Sequence, residues 1–153
     1  MLRFWIAVAA VVVADQMTKL LIQNFLQPWE TYVIIPKILA LTYVQNPGGA
    51  FGILASQEWV LLLFTFAAVS AAILFRHRII DKGYLWELVL ILGGGLGNLL
   101  DRLQLGYVVD FIDFHFWPVF NIADIAIVTG VILLFLNVIS SPCRGVDDNN
   151  APS

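Results

Sequence analysis

The chain has 153 residues, of which 60% are hydrophobic and 12% charged, with a formal net charge of -3 and a mean hydropathy of +0.87. Soluble domains average about 25% charged residues, so this much apolar surface calls for lipid as its solvent. The charge excludes a basic field for nucleic acid, the single cysteine, Cys143, excludes a disulfide framework or a cysteine zinc site, and His77 and His115 stand outside any HExxH pattern.

Four apolar stretches follow in order: Phe4 to Phe25, Trp59 to Phe75, Tyr84 to Leu105 and Val119 to Ile139. Each is near the roughly 20 residues a helix needs to cross a bilayer. The expected fold is therefore a membrane all-α bundle of four transmembrane helices in a single domain, residues 1–153. Met1-Leu2-Arg3 and the apolar run to Ala14 also resemble a cleaved signal peptide. Hydrophobicity resumes at Leu20-Leu21-Ile22, however, and gives a full span.

Between the first two spans, Thr31 to Ile35 and Ile38 to Val44 are rich in β-branched and aromatic residues, with Pro36-Lys37 between them. They predict a β-hairpin or cradle within an insert at 27–57, lying on the membrane surface. The second link is short and basic, with Arg76, His77, Arg78 and Lys82. The third, Gly106 to Phe114, reads as extended. The polar tail, 141–153, reads as disordered. Arg3, Arg76, Arg78, Lys82 and Arg144 fall on one side of this arrangement, and only Lys19, Lys37 and Arg102 on or toward the other. The positive-inside rule then puts both termini and the basic loop in the cytoplasm and the β-like insert outside.

Helical rise gives depth. Asp15 lies about 18 Å beyond Arg3, Asp101 about 21 Å beyond Glu87, and Asp124 about 30 Å from Arg144. Three spans thus carry their charges toward the outer leaflet. Charges in a bilayer are costly and mark sites or pathways, and convergence at one depth favours a site. Asp15 and Lys19, spaced i, i+4, also suit a simple ion pair, and Asp101 and Arg102 a structural network. Asp110 and Asp124 have no basic neighbour in sequence. Asp124 also fits a helix-start carboxylate favoured by the dipole. Asp113 rivals Asp110, but three residues along a strand it points to the opposite face.

No serine or cysteine stands beside a base. Two carboxylates held close cannot both ionise comfortably, so one keeps a proton while the other is a base. Such a pair can activate water and protonate a leaving amine. The competing class is a small four-span proton-coupled transporter, which requires an acid near the midplane. Here the second span is uncharged and the acids lie off-centre. Gly93-Gly94-Gly95 and Gly97 on the third span suit close helix packing; no lysine-serine/threonine pair follows to make a phosphate loop.

Five boxes occur in order: Asp15-Gln16-Met17-Thr18-Lys19, Asn46-Pro47-Gly48-Gly49-Ala50-Phe51, Gly97-Asn98-Leu99-Leu100-Asp101-Arg102, Val109-Asp110-Phe111-Ile112 and Phe120-Asn121-Ile122-Ala123-Asp124. Together they resemble the lipoprotein signal peptidase (signal peptidase II) family of bacterial aspartic peptidases, over nearly the whole chain. The resemblance implies Asp110 and Asp124 as the catalytic pair, with Asp15, Lys19, Asn46, Asn98, Asp101, Arg102 and Asn121 supporting the pair or contacting substrate. It implies a substrate, a diacylglyceryl-modified prolipoprotein, cut just before its lipidated cysteine. It further implies a multi-pass place in the bacterial inner membrane with the site near its outer face; membrane lipids as surroundings, no metal or other cofactor, and a monomer are the accompanying expectations. The segment from Leu26 to Glu58 would correspond to the family's β-cradle. Ile125, where a small or hydroxylated residue is frequent, and Pro47 depart from the family pattern without touching the proposed pair.

Overall fold

A computed structural model describes residues 1–47 and 58–140, with the side chains of Glu58 and Leu61 left aside. The Gly48 to Phe51 part of the second box, the rest of the insert to 57, and the tail at 141–153 lie outside the described residues. The element order is α1 (Leu2–Phe25), β1 (Thr31–Ile35), β2 (Leu39–Asn46), α2 (Glu58–Asp81), α3 (Leu85–Leu105), β3 (Val108–Asp113) and α4 (Ile122–Ser140). All four helices are long and apolar enough to cross a membrane. The shortest, with 19 residues, spans about 28 Å.

Helix α2 is longer than the sequence predicts. It runs on through Arg76, His77 and Arg78 to Asp81, and only a three-residue turn, Lys82-Gly83-Tyr84, leads into α3. Arg76, His77 and Arg78 therefore lie in the last two turns of a helix, Arg78 in the final one. There the cluster complements the carboxyl-end dipole, and its polarity does not interrupt backbone hydrogen bonding.

The centre of the bundle is α3, which packs against α1, α2 and α4. Its glycines set those approaches. A Cβ on Gly93 would stand 2.7 Å from Val11 Cβ on α1, and one on Gly97 2.5 Å from the Asp15 carboxylate. A Cβ on Gly94 would collide with the Ala123 carbonyl of α4, whereas on Gly95 it would meet only a methyl of Val69 on α2, at 3.1 Å. The glycine stripe thus lets α1 and α4 approach the α3 backbone closely, while α2 meets it through the Val69 side chain. Phe4, Val8, Val69, Leu88, Val89, Leu92 and Leu99 fill the core around it. Many apolar side chains on α1, α2 and α4 point outward, among them Leu21, Phe64, Leu74, Phe135 and Ile139. That inverted surface is what lipid requires.

The predicted hairpin is present, and the segment after α3 joins it. The three strands form one antiparallel sheet in the order β1-β2-β3. Pro36 and Lys37 make the corner between β1 and β2, closed by the Ile38 N–H donating to the Ile35 carbonyl at 3.0 Å. Gly106 ends α3 in the left-handed conformation, φ 82°, which a side chain would disfavour. It turns the chain straight into β3. In the β2–β3 register Val44 faces Asp110 and Asn46 faces Val108. Asn46 and Asp110 therefore share a face as diagonal neighbours. Below the sheet, Ile22, Leu26, Tyr43, Val109 and Phe111 form a second apolar cluster that seats it on the end of α1.

The expected consequence is that Gly94→Val destabilises the protein by at least 1–3 kcal/mol, roughly the cost of overpacking, because its new atoms meet backbone. Gly95→Ala, which meets only a side-chain methyl, is expected to be nearly neutral. Thermal unfolding of the detergent-solubilised variants measures both.

Candidate active site

The sheet-side halves of α1, α3 and α4 and strand β3 enclose a continuous polar cluster in an otherwise apolar bundle. At its base lies Lys19, 2% exposed. Its ammonium pairs with Asp15 and Asp101, both at 2.8 Å, and donates to Asn98 Oδ1 at 3.0 Å. A buried charge is tolerated only when it is paired and its protons are used, and three acceptors use three protons.

Both partners of Lys19 also hold backbone. Asp15 Oδ1 accepts the Ala123 N–H at 2.9 Å, and so satisfies one of the free donors at the start of α4. Asp101 Oδ2 accepts the Val109 N–H at 3.0 Å, next to Asp110 on β3. The i, i+4 pair expected on α1 is thus real, and it is also a tie between α1, α3, β3 and α4. Gln16 belongs to the same cluster, its amide donating to Asp101 Oδ1 at 2.8 Å, Asp15 Oδ2 at 3.2 Å and the Gly97 carbonyl at 3.2 Å. Sequence reasoning quoted Gln16 within its box without singling it out. Its place three residues before Lys19, on the same side of the helix, is the signal that was available.

Above this base stand the two aspartates. Asp110, 2% exposed, receives Asn121 Nδ2 on Oδ1 and Asn46 Nδ2 on Oδ2, both at 2.7 Å. Asp124 receives Asn98 Nδ2 on Oδ1 at 2.8 Å. Burial pushes the Asp110 carboxyl up to about 7; the Asn46 and Asn121 amides pull against that shift, and the nearby Asp124 charge adds to it.

Local structure explains why these side chains meet. After β3 the chain folds back so that the Phe120 carbonyl accepts the N–H groups of Phe111 and Ile112, while the Phe120 N–H donates to the Ile112 carbonyl. This return lays Asn121 beside Asp110. Asn121 then precedes α4, where its Oδ1 accepts the Asp124 N–H at 2.9 Å and its own N–H donates to Asp124 Oδ2 at 3.3 Å. That reciprocal pattern is a capping box. The helix-start reading of Asp124 is therefore correct as far as it goes; the carboxylate also reaches a cavity.

The cavity measures about 340 Å³, with Asn46, Asn98, Arg102, Asp110, Asp124 and Trp117 among its walls. The Trp117-Pro118-Val119-Phe120 wall was not found in the sequence, because its membership depends on the fold-back after β3. Arg102 does not join the Lys19 cluster. Among the described residues its Nη1 makes two long contacts, to Thr65 Oγ1 at 3.5 Å and the Asn98 carbonyl at 3.4 Å, and its buried Nε has no partner there. A guanidinium so loosely held at a cavity wall retains hydrogen bonds to give. Asp113 lies elsewhere, accepting from Thr42 Oγ1 at 2.8 Å and the His115 N–H at 2.7 Å. The alternation of the strand turns it away from Asp110.

Comparison with known proteins gives a consistent result. A model of the family described as Signal peptidase (SPase) II matches residues 7–140. A lipoprotein signal peptidase of Moorella thermoacetica is 47% identical over 134 residues, 86% of this chain and 89% of that protein. One of Halothermothrix orenii is 42% identical over 133 residues, 86% of this chain and 92% of that protein. A bacterial membrane enzyme solved by the in meso method at 2.3 Å resolution superposes with a TM-score of 0.86 at 28% identity, over 99% of this chain and 96% of that one. A second, solved at 1.9 Å, gives a TM-score of 0.82 at 30% identity, over 92% of this chain and 95% of that one. With a matching family model over most of its length and relatives above 40% identity, this four-helix membrane chain belongs to the signal peptidase II family of peptidases.

Proposed function

We propose that the protein is an aspartic endopeptidase that removes the signal peptide from diacylglyceryl-modified prolipoproteins, cutting just before the lipidated cysteine, with Asp110 and Asp124 as its general acid/base pair. The observation that carries this reading is that both carboxylates, from different elements, line one cavity and are each oriented by side-chain amides. An amide bond brought there meets a base for water and an acid for the carbonyl and leaving nitrogen. Asn46, Asn98 and Asn121 orient the pair. Asp15, Lys19 and Asp101 support it from below, and Arg102 is placed to meet a polar group of the substrate.

Orientation follows from charge. Arg3, Arg76, Arg78 and Lys82 lie at one end of the bundle and the sheet at the other. The positive-inside rule makes the first end cytoplasmic. The pair then lies near the outer face, where the scissile bond of a membrane-anchored precursor arrives with its acyl chains still in lipid. The chain works as a monomer in this reading, since every proposed group comes from one copy.

Asp110→Asn and Asp124→Asn are each expected to lower cleavage at least about 10²–10⁴-fold, the usual share of a general acid or base, with the protein still folded. Asp113→Asn is expected to be much milder. Cleavage of a diacylglyceryl-modified prolipoprotein by purified protein in detergent measures all three. Near-total loss in Asp113→Asn with Asp110→Asn active would overturn the assignment.

The pH profile should also be informative. Burial and the Asp124 charge hold Asp110 protonated until about pH 7, which suits it to be the acid of the pair, with Asp124 as the base. Cleavage per enzyme is therefore expected to fall as pH rises above about 7, through a macroscopic step belonging to the pair. The sign for stability is the same. A carboxyl raised above its ordinary range favours the native state at low pH, and that contribution is lost as pH rises through about 7. Melting at pH 5 and pH 8 is expected to differ more in wild type than in Asp110→Asn.

A further inference from the structure

The strand that carries Asn46 changes its register against β3 partway along. Ala40 faces Asp113 and Leu41 faces Ile112, but the pairing resumes with Val44 facing Asp110, so Thr42 and Tyr43 together stand opposite Phe111. This is a β-bulge, a device that re-aims a side chain beside a site. Had the first register continued, Asn46 would face Tyr107 and its side chain would turn to the other side of the sheet, because a slip of one residue exchanges the faces. Past the bulge three residue pairs follow among the described residues: Val44 with Asp110, Gln45 with Val109 and Asn46 with Val108. Asn46 is also the last residue of β2, and strand ends open most easily.

Side chains on the opposite face hold these pairs in place. Gln45 Nε2 donates to Tyr107 Oη at 3.0 Å and to Tyr43 Oη at 3.2 Å, and the two hydroxyls lie 3.4 Å apart. Tyr43 is one of the two bulge residues, Tyr107 immediately precedes β3, and Gln45 immediately precedes Asn46. We infer that Gln45 and the hydroxyls of Tyr43 and Tyr107 form a positioning clamp that pins the bulged register of β2 and thereby keeps the Asn46 amide on Asp110; this rests on the peptidase reading and deepens it.

The clamp exists in one register only. Asn46 Nδ2 reaches Asp110 Oδ2 at 2.7 Å on the cavity side, whereas Tyr43 is buried with Ile22, Leu26, Val109 and Phe111 beneath the sheet. In the slipped register Gln45 would face Val108 and turn to the cavity side, away from both hydroxyls. The bulge residues are tied independently. Thr42 Oγ1 donates to Asp113 Oδ2 at 2.8 Å. The Tyr43 carbonyl accepts the Trp29 N–H at 2.7 Å, and the Tyr43 N–H donates to the Glu30 carbonyl at 3.0 Å. The hydrogen bond with Tyr43 pushes the Tyr107 phenol up to about 12, so Tyr107 keeps its proton across the range in which Asp110 titrates. The charged groups around Asp110 are Lys19 and Asp15 on α1, Asp101 and Arg102 on α3 and Asp124 on α4, and β2 carries none. The clamp therefore acts on Asp110 through Asn46.

The test is a double-variant cycle read by the pH profile of kcat/KM. Gln45→Leu keeps the bulk of the side chain and removes its donor. The Asn46 amide pulls the Asp110 carboxyl down against burial, so losing its aim is expected to move the alkaline fall in cleavage to higher pH, in the same direction as Asn46→Ala. Gln45→Leu is expected to lower kcat/KM about 3–10-fold alone, and less than about 2-fold in an Asn46→Ala background, because the two residues act as a unit. Tyr107→Phe, which removes the acceptor oxygen and little else, is expected to behave alike and takes over if Gln45→Leu is not monodisperse. Hydrogen exchange of the backbone at 43–46 and 107–110 follows the register without activity, and is expected to quicken about 3–10-fold in Gln45→Leu. An alkaline limb that does not move, or equal losses from Gln45→Leu with and without the Asn46 amide, would overturn the clamp. A wild type that cleaves nothing at any pH fails the peptidase reading instead, and unchanged exchange in Gln45→Leu would overturn the pinning itself.

Discussion

One buried lysine holds the sheet-side half of this protein together. Lys19 spends its three protons on Asp15, Asp101 and Asn98. Each of those acceptors fixes something further: Asp15 holds the first turn of α4, Asp101 the backbone of β3, and Asn98 the carboxylate of Asp124. Removing one member of a buried ion cluster leaves an uncompensated charge, at a cost of about 3–5 kcal/mol. Replacing the whole cluster with apolar side chains is often harmless to stability, so stability alone gives little reason to keep it. Its geometry does: the same charge that ties three helices to the sheet also fixes which way the Asn98 amide points toward Asp124.

The glycines of α3 make that cluster possible. Gly97 leaves room for the Asp15 carboxylate, and Gly94 lets the first turn of α4 lie against α3. Packing and chemistry are therefore set by the same residues. Helices held apart by a methyl group would separate Asp15 from the Ala123 N–H and Asn98 from Asp124. The lipid-facing surfaces, by contrast, are simply apolar, and α2, which carries no charge along most of its length, contributes only Val69 to the buried core among the described residues.

Much of this was legible in the sequence. Apolar runs of about the bilayer's thickness gave the four helices, β-branched alternation around Pro36-Lys37 gave the hairpin, and depth counted from Arg3, Glu87 and Arg144 gave the common level of the acids. The parity of a strand separated Asp110 from Asp113. What was not legible depends on the chain's return after β3. No local pattern announces that the Phe120 carbonyl will take two N–H groups from β3, yet that return lays Asn121 against Asp110 and builds the Trp117 to Phe120 wall. The end of α2 was missed for a simpler reason: charged residues end an apolar run without ending a helix. Adjacency in sequence also misled slightly at Asp101 and Arg102, which point to different clusters from successive positions of one helix.

The central claim is direct hydrolysis by a water molecule held between two aspartates near the outer face of the membrane. A single turnover of a diacylglyceryl-modified prolipoprotein in ¹⁸O-labelled water, followed by mass spectrometry of both products and of the protein, tests it most directly. The account predicts a cut immediately before the lipidated cysteine, one ¹⁸O in the new carboxylate of the released signal peptide, and a protein of unchanged mass throughout. An acyl adduct on the protein, or intact substrate beside a folded, monodisperse protein, would contradict it.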